Sequence, residues 1–153
     1  MPLYNYDIRP MTKEDLNQVF EIEKLSFVAP WKDADIVYEL EENKFANLFV
    51  VTIDERVVGY ADYWKTFESG TLCKIAIHPD FRGNKLGSFL LDEILKDCYI
   101  KRIRTITLEV RKSNQNARIL YKNHGFKELL IKPNYYSNGE DAIYMSYEVN
   151  INA

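Results

Sequence analysis

The sequence has few of the residues that build metal sites and disulfide frameworks. It contains two cysteines, Cys73 and Cys98, and two histidines, His78 and His124, and none of them has the close spacing of zinc or iron ligands. We therefore expect no bound metal. Both cysteines stand among apolar residues, so we interpret them as buried thiols of a cytoplasmic protein.

Long apolar runs and an excess of one charge are absent as well. No stretch approaches the roughly 20 apolar residues that a membrane-spanning helix needs, and Tyr4, Asp7 and Arg9 interrupt any signal-like segment at the start. The chain carries 20 basic and 23 acidic residues, which gives a formal net charge of -3. We therefore expect neither a membrane nor nucleic acid as a partner.

Apolar periodicity predicts one domain that mixes strands and helices. No repeat, linker or low-complexity segment divides the sequence, so we treat residues 1–153 as a single domain. Strand and helix alternate from 71 to 131, which indicates an α/β or α+β fold with at least one parallel pair, because parallel neighbours need a crossover. We expect strands at 4–8, 47–53, 56–64, 71–77, 105–110, 126–131 and 141–149, and helices from Thr12 to about Leu25, from Asp33, at 86–98 and at 115–123.

The segment 78–88, HPDFRGNKLGS, leads from a strand end directly into an apolar helix. Such a turn gathers unpaired backbone N–H groups at a helix N-terminus, where Arg82 and Lys85 add positive potential, and this suits a phosphate group. The glycine spacing matches neither a P-loop nor a dinucleotide fingerprint. Alternatively, Gly83 and Gly87 only permit a tight turn and close helix packing, and the segment alone does not decide between the two.

Two longer motifs resemble one enzyme family. Residues 82–88, RGNKLGS, resemble the Q/R-x-x-G-x-G/A acetyl-CoA loop of the GNAT family of N-acetyltransferases, and the predicted elements follow that family's order. Residues 108–126, LEVRKSNQNARILYKNHGF, are similar to the signature of its RimI-type branch, which acetylates protein N-termini. Pro30-Trp31 and the segment 134–145 match the same branch, so the resemblance covers nearly the whole chain.

The resemblance implies both a fold and a cosubstrate. The expected fold is a mixed, mostly antiparallel sheet of about seven strands with a central splayed parallel pair, flanked by about four helices. The expected cosubstrate is acetyl-CoA. The residues expected to bind it are Ile75, Ala76 and Ile77 of the splayed strand, the loop residues Arg82, Gly83, Asn84, Lys85, Leu86, Gly87 and Ser88, and Asn114.

Lys85 departs from the family pattern, which has the first of two spaced glycines at this position. A lysine with a positive φ would be strained. We therefore expect Lys85 to adopt an ordinary helical conformation, with its side chain either contacting a phosphate or pointing to solvent.

Glu109 is the candidate general base. In the strand 105–110, Ile106, Leu108 and Val110 share one face, so Glu109 points to the other. From the pattern alone, such a glutamate is most simply explained by an edge strand or a solvated face. The resemblance instead implies that it takes a proton from the acceptor amine.

Tyr121 and Asn114 each have a structural alternative. Tyr121 lies on the apolar stripe of its helix, which by itself indicates core packing, whereas the resemblance makes it the acid that protonates the coenzyme A thiolate. Asn114 resembles a cofactor-contacting asparagine but could equally cap the helix.

A backbone N–H group near Ile77 is the expected donor to the oxyanion. We do not expect an acetyl-cysteine intermediate. Cys73 shares its strand face with Ile75 and Ile77 in the sequence pattern, and no activating base is evident for either thiol.

Two loops are expected to flank the acceptor. Phe27, Pro30 and Trp31 lie between the first two helices, and Tyr135 and Tyr136 lie between the last two strands. In the RimI-type branch these loops border the entry of the peptide. The alternative is a hydrophobic seam that holds the loops on the body of the domain.

The expected reaction is direct transfer of the acetyl group to the N-terminal α-amine of a protein, with a ribosomal protein as one candidate, inside a ternary complex. A lysine side chain, a polyamine or another small amine is the alternative acceptor. A module that senses acetyl-CoA without turnover is the alternative from a different class. The sequence leaves open the accepted first residues and whether an auxiliary subunit or a second copy, as in a homodimer, takes part.

Overall fold

A computed structural model of the chain describes residues 5–149. One seven-stranded sheet has the order β1-β2-β3-β4-β5-β7-β6, and every neighbouring pair is antiparallel except β4 and β5. The mixed, mostly antiparallel sheet and the flanking helices confirm the predicted fold class, while the expected strand position of Tyr4 lies outside the described residues. The elements are β1 (Tyr6–Pro10), α1 (Leu16–Ser26), α2 (Asp33–Glu41), β2 (Ala46–Ile53), β3 (Arg56–Thr66), β4 (Ser69–Ile77), α3 (Leu86–Ile100), β5 (Thr105–Arg111), α4 (Gln115–Asn123), β6 (Lys127–Lys132) and β7 (Ala142–Glu148).

The sheet separates two hydrophobic cores. Side chains of α3 and α4 pack on one side, which we name the α3/α4 face, and side chains of α1 and α2 pack on the other, the α1/α2 face. On β5, Ile106, Leu108 and Val110 are buried in the α3/α4 core. Because successive side chains of a strand point to opposite faces, Glu109 lies on the α1/α2 face.

A capping box at Thr12 starts a short 3-10 turn, Lys13–Asp15, which runs directly into α1. The Asp15 carboxylate accepts the Thr12 backbone N–H at 2.8 Å and is also paired with Arg9. The hydrogen bond from Arg9, followed by the backbone bond, lowers the pKa of Asp15 against the effect of burial. This confirms the predicted helix start and anchors α1, whose far end leads to the loop with Phe27 and Trp31.

The parallel pair β4–β5 separates after a short contact. The two strands are paired only from Ser69–Thr105 to Thr71–Thr107. Beyond this point β4 continues to Ile77 and β5 continues to Arg111, with no further pairing between them. The central splayed pair implied by the family resemblance is therefore present, and it opens a gap in the middle of the sheet.

A β-bulge in β4 changes which side chains reach each face. Tyr63 is opposite Leu72 and Asp62 is opposite Lys74, so Cys73 has no partner on β3. Leu72, Ile75 and Ile77 pack in the α3/α4 core, whereas Lys74 contacts α1. The expectation that Cys73 shares a face with Ile75 and Ile77 is wrong, because the bulge interrupts the alternation on which it was based.

Cys73 sits beside acidic groups of the α1/α2 face. Burial, followed by the nearby carboxylates of Asp62 and Glu39, raises the pKa of the Cys73 thiol. Burial, followed by Asp97, likewise raises the pKa of Cys98. Cys98 is fully buried as predicted, while Cys73 is only partly so. Both thiols therefore stay protonated at neutral pH.

Candidate active site

The loop between β4 and α3 winds through two left-handed residues. Gly83 has φ +83°, and Lys85, the N-cap of α3, has φ 64° and ψ 13°. The expectation of a helical Lys85 is therefore wrong. The chain has to change direction in this loop before α3 begins. The Lys85 carbonyl accepts the Phe89 N–H at 3.1 Å, and this bond holds Lys85 at the first turn of the helix.

The same loop has several main-chain N–H groups that no described residue accepts. Among residues 5–149, no acceptor bonds the backbone N–H of Gly83, Asn84 or Lys85, and the first-turn N–H groups of α3 have no acceptor within the helix. The side-chain amide of Asn84 closes the loop by donating to the carbonyls of Phe81 and Arg82, at 3.1 and 3.3 Å. Together with the helix dipole, this cradle suits a phosphate group.

Arg82 ties the loop to its surroundings. Its Nε donates to the Ile77 carbonyl at 2.8 Å, and one terminal nitrogen donates to the Ser26 hydroxyl at 3.2 Å. The guanidinium thus joins the end of β4 to the end of α1. The sequence predicted Arg82 as a positive charge and a cofactor-binding residue of the loop, and did not predict this link between β4 and α1.

Two backbone N–H groups of β4 point into the gap. The His78 N–H donates to the Val58 carbonyl on β3 at 2.7 Å. Because main-chain groups alternate along a strand, the N–H groups of Ile75 and Ile77 point the opposite way, towards β5. The pairing with β5 has ended before these residues. Among the described residues, the N–H of Ile77 therefore has no partner on β5, and its role as an oxyanion donor stays a prediction.

Glu109 is bound by two side chains from the far edge of the sheet. Its Oε2 pairs with Lys132 Nζ at 2.5 Å, and its Oε1 accepts the Tyr135 hydroxyl at 3.1 Å. The Lys132 ammonium also lies 4.9 Å from the centre of the Tyr144 ring. The hydrogen bond to Glu109 raises the pKa of Lys132, so this residue stays charged.

Tyr121 is buried on the α3/α4 face. Its ring packs 5.7 Å from that of Phe126, and its side chain belongs to the core of that face. Burial, and then the nearby Tyr136, raises the pKa of the Tyr121 hydroxyl. The core packing foreseen as an alternative is thus present, and it leaves a hydroxyl that remains protonated and able to donate.

Glu109 and Tyr121 therefore lie on opposite faces of the sheet. Tyr136 interacts electrostatically with both Glu109 and Tyr121. Burial and, more weakly, Glu109 raise the pKa of Tyr136, whereas Arg111, which lies 4.0 Å from the centre of its ring, lowers it. Tyr135 and Tyr136 pack edge to face with ring centres 5.1 Å apart. A carboxylate on one face and a protonated hydroxyl on the other suit a reaction whose two substrates arrive from opposite sides.

Asn114 is a helix cap. Its side-chain oxygen accepts the Ala117 N–H at 3.2 Å, which satisfies one of the unpaired donors of α4. His124 and His78 likewise bond to neighbouring residues. His124 contacts Asp92 at 2.9 Å, and His78 accepts the Asp80 N–H at 3.1 Å.

The loop between α1 and α2 carries Phe27 and Trp31 as an aromatic pair, and Pro30 lies between them. Sequence reasoning missed the residue that joins this pair, which is Lys74. Its ammonium lies 3.8 Å from the Phe27 ring centre and 4.6 Å from that of Trp31. The one signal for it was a charged residue inside the apolar strand TLCKIAI.

A comparison with known proteins agrees with this geometry. The model of the acetyltransferase (GNAT) family matches residues 16–126. The chain belongs to this family. It is an acetyl-CoA-dependent N-acetyltransferase. Among residues 5–149 there is no cluster of three or more His, Cys, Asp or Glu that could hold a metal ion, and none of the helices is long and apolar enough to cross a membrane.

Individual relatives match nearly the full length of the chain. A Bacillus subtilis (strain 168) protein, named as a candidate ribosomal protein bS18-alanine N-acetyltransferase, is 39% identical over 144 residues, covering 94% of this chain and 95% of its own. The ribosomal protein bS18-alanine N-acetyltransferase of Salmonella typhimurium is 31% identical, covering 92% and 96%. The crystal structure of the ribosomal-protein-S18-alanine N-acetyltransferase from Escherichia coli superposes with a TM-score of 0.89 at 28% identity, covering 97% of both chains.

Proposed function

We propose that this enzyme transfers the acetyl group of acetyl-CoA to the N-terminal α-amine of a protein, with a ribosomal protein as the first candidate acceptor. The observation that carries the proposal is the position of Glu109, on the α1/α2 face of β5 beyond the point where β4 and β5 separate. The relatives named for the alanine terminus of a ribosomal protein support the same acceptor class. Such a substrate would meet the enzyme in the cytoplasm, as the cysteine usage suggested.

Acetyl-CoA would lie with its pyrophosphate on the N–H cradle at 83–88 and its thioester in the gap. The acceptor amine would approach from the α1/α2 face, between the two aromatic loops. An α-amino group has a pKa near 8, so it is largely protonated at neutral pH. Glu109, directly or through water, would accept this proton as the amine attacks the thioester carbon.

The second half of the reaction concerns the sulfur. When the carbon–nitrogen bond forms, the carbonyl oxygen becomes anionic and the Ile77 N–H would donate to it. The carbon–sulfur bond then breaks, and the protonated Tyr121 hydroxyl on the α3/α4 face would give its proton to the leaving thiolate. The products are an N-acetylated peptide and coenzyme A, and bringing both reactants together accounts for much of the rate increase.

A matched set of acceptors tests the proposal. We would compare a peptide with a free N-terminal alanine, its N-terminally blocked copy with an internal lysine, and spermidine, each with radiolabelled acetyl-CoA. We expect label only on the free N-terminus. Label on the blocked peptide or on spermidine alone would assign the side-chain or polyamine activity instead, and acetyl-CoA binding without any transfer would assign a sensor.

A further inference from the structure

We propose that Lys74 determines which first residue the enzyme accepts, by filling the space between Phe27 and Trp31. The inference rests on the proposed function and adds the class of acceptor. Termini that begin with a small side chain are accepted, and termini that begin with a long aliphatic or a cationic side chain are rejected.

Lys74 is enclosed on three sides. Its ammonium lies against the rings of Phe27 and Trp31, with 3.8 and 4.6 Å to the ring centres, and 2.9 Å from Glu23 Oε2. The Lys74 side chain is only 10% exposed and that of Glu23 is 1% exposed. A cation between two aromatic faces and a buried carboxylate is strongly held in this position.

Glu23 makes this arrangement rigid. Its carboxylate also accepts the Trp31 backbone N–H at 2.7 Å and the hydroxyl of the buried Tyr60. If Lys74 moved aside to admit a substrate side chain, Glu23 would keep a buried negative charge without its cation, which is strongly unfavourable. The Trp31 end of the loop is therefore pinned to α1, and the space between the rings does not open.

Lys74, with its partners Phe27, Trp31 and Glu23, lies on the same face of the sheet as the candidate base. Lys74 and Glu109 both lie on the α1/α2 face, on the two strands that separate after the Thr71–Thr107 pair. Lys74 is three residues and Glu109 two residues beyond this pair, and the bulge at Cys73 takes up the extra residue. The two side chains are therefore at the same level, on either side of the gap.

The consequence for the acceptor follows from this shared level. With the α-amine at Glu109, the first side chain of the acceptor is directed towards the loop with Phe27 and Trp31. A leucine or methionine side chain would need the place against the rings that the ammonium occupies. A lysine or arginine side chain would meet the like charge of Lys74. Glycine, alanine and serine need no such place.

The test compares peptides that differ only in the first residue, alanine or leucine. The opening variant is Lys74→Ala combined with Glu23→Gln, which removes the filling side chain without leaving an unpaired carboxylate. The matched control is Lys74→Met with the same Glu23→Gln, which loses the charge but keeps the volume. For each protein, kcat/KM is measured for both peptides, and acetyl-CoA affinity and melting temperature are measured in parallel.

We expect kcat/KM of the wild type to be at least about tenfold higher for the alanine peptide than for the leucine peptide, because the extra carbons of leucine find no pocket. The opening variant should lose most of this preference through a gain on the leucine peptide, and the methionine control should keep it. An equal ratio in all three proteins, or an equal loss in both variants, overturns the inference. Should the double variant not fold, Phe27→Ala opens the same space with the ion pair intact and is judged by the same ratio.

The two proposals fail in different ways. If the wild type labels neither peptide, both the proposed function and the role of Lys74 are overturned. If the wild type labels the alanine peptide but the preference does not depend on position 74, the function stands and only the role of Lys74 is overturned.

Discussion

Lys132 on β6 forms an ion pair with Glu109 on β5, across the intervening strand β7. The ammonium bridges the sheet above the Tyr144 ring, and Tyr135 binds the second carboxylate oxygen. Both oxygens of the candidate base are thus engaged by the protein. Each oxygen still has a second lone pair, through which an acceptor amine or a water could approach. Of the two partners, the 38% exposed Lys132 side chain is the one with room to move.

Replacement of Glu109 by glutamine should slow transfer while sparing cosubstrate binding. We expect kcat to fall by about 100-fold to 10,000-fold, the usual contribution of a general base, with acetyl-CoA affinity nearly unchanged by calorimetry. The loss should be greatest at low pH, where the amine of the acceptor is protonated, and should shrink above about pH 9. Glu93→Gln, at an exposed position of α3, should keep wild-type rates. If kcat of the variant is lower by the same factor at every pH, Glu109 is not the general base.

Replacement of Tyr121 by phenylalanine separates chemistry from packing. The ring and its contact with Phe126 are kept, so we expect little change in melting temperature, whereas turnover should fall about tenfold or more for loss of a general acid. Because burial raises the pKa of Tyr121 above its usual value, the wild-type rate should show no loss from its ionisation below about pH 10. Tyr99→Phe, with a side chain at the surface, serves as the control. A large drop in melting temperature with unchanged turnover would assign Tyr121 to the core alone.

Replacement of Lys85 by glycine should stabilise the fold. A left-handed conformation destabilises the folded state by roughly 1 to 2 kcal/mol when the residue is lysine. Glycine avoids this strain, but its greater freedom in the unfolded chain lowers the stability by about 0.5 to 1 kcal/mol. We therefore expect a net gain of about 0.5 to 1 kcal/mol in the free energy of unfolding by urea. Arg102→Gly, at φ 61° in a turn away from the loop, should give a similar gain. A loss of stability at Lys85 with a gain at Arg102 would mean that the lysine side chain stabilises the loop.

Asp62 should make the protein less stable as the pH rises. It is fully buried on β3, neither of its oxygens has a hydrogen-bond donor among the described residues, and burial followed by Glu39 raises its pKa to about 9. In the unfolded chain the pKa is about 3.9. Between these values the folded state holds a proton that the unfolded state has released, so the stability contribution of this group falls with rising pH.

The Asp62→Asn variant removes this proton linkage and keeps the shape of the side chain. We expect the free energy of unfolding of the wild type to fall between pH 5 and pH 8 by at least about 1 kcal/mol more than that of the variant. Urea titrations at the two pH values measure the difference, with Glu93→Gln as the control for an exposed carboxylate. Equal pH dependence in wild type and variant would mean that Asp62 is ionised in the fold.

Local patterns predicted the elements but not the contacts between them. The alternation of Ile106, Leu108 and Val110 was sufficient to direct Glu109 to the other face. The bulge at Cys73 could not be predicted, because it depends on how β4 meets β3, and it moved Cys73 off the face of Ile75 and Ile77. A local sequence pattern predicts which face of a strand a residue lies on, but not how that strand pairs with its neighbour.

The charged pairs of the site were missed for the same reason. Lys74 and Glu23 are 51 residues apart in sequence, and Lys132 and Glu109 are 23 apart. Intrinsic preference predicts a helical Lys85, whereas the turn that leads into α3 places a left-handed residue at this position. Tertiary context overrides such preferences.

The early separation of β4 from β5 gives the domain a pair of strand edges that face inwards. Exposed strand edges ordinarily tend to pair with another chain. The inner edges of β4 and β5 lie between the helices that cover the two faces of the sheet. A thin ligand with amide groups along its length could hydrogen-bond to both edges and so bridge the two halves of the sheet. If the cosubstrate binds there, as we propose, its binding free energy also stabilises the centre of the sheet, and the domain should unfold at a lower temperature without it.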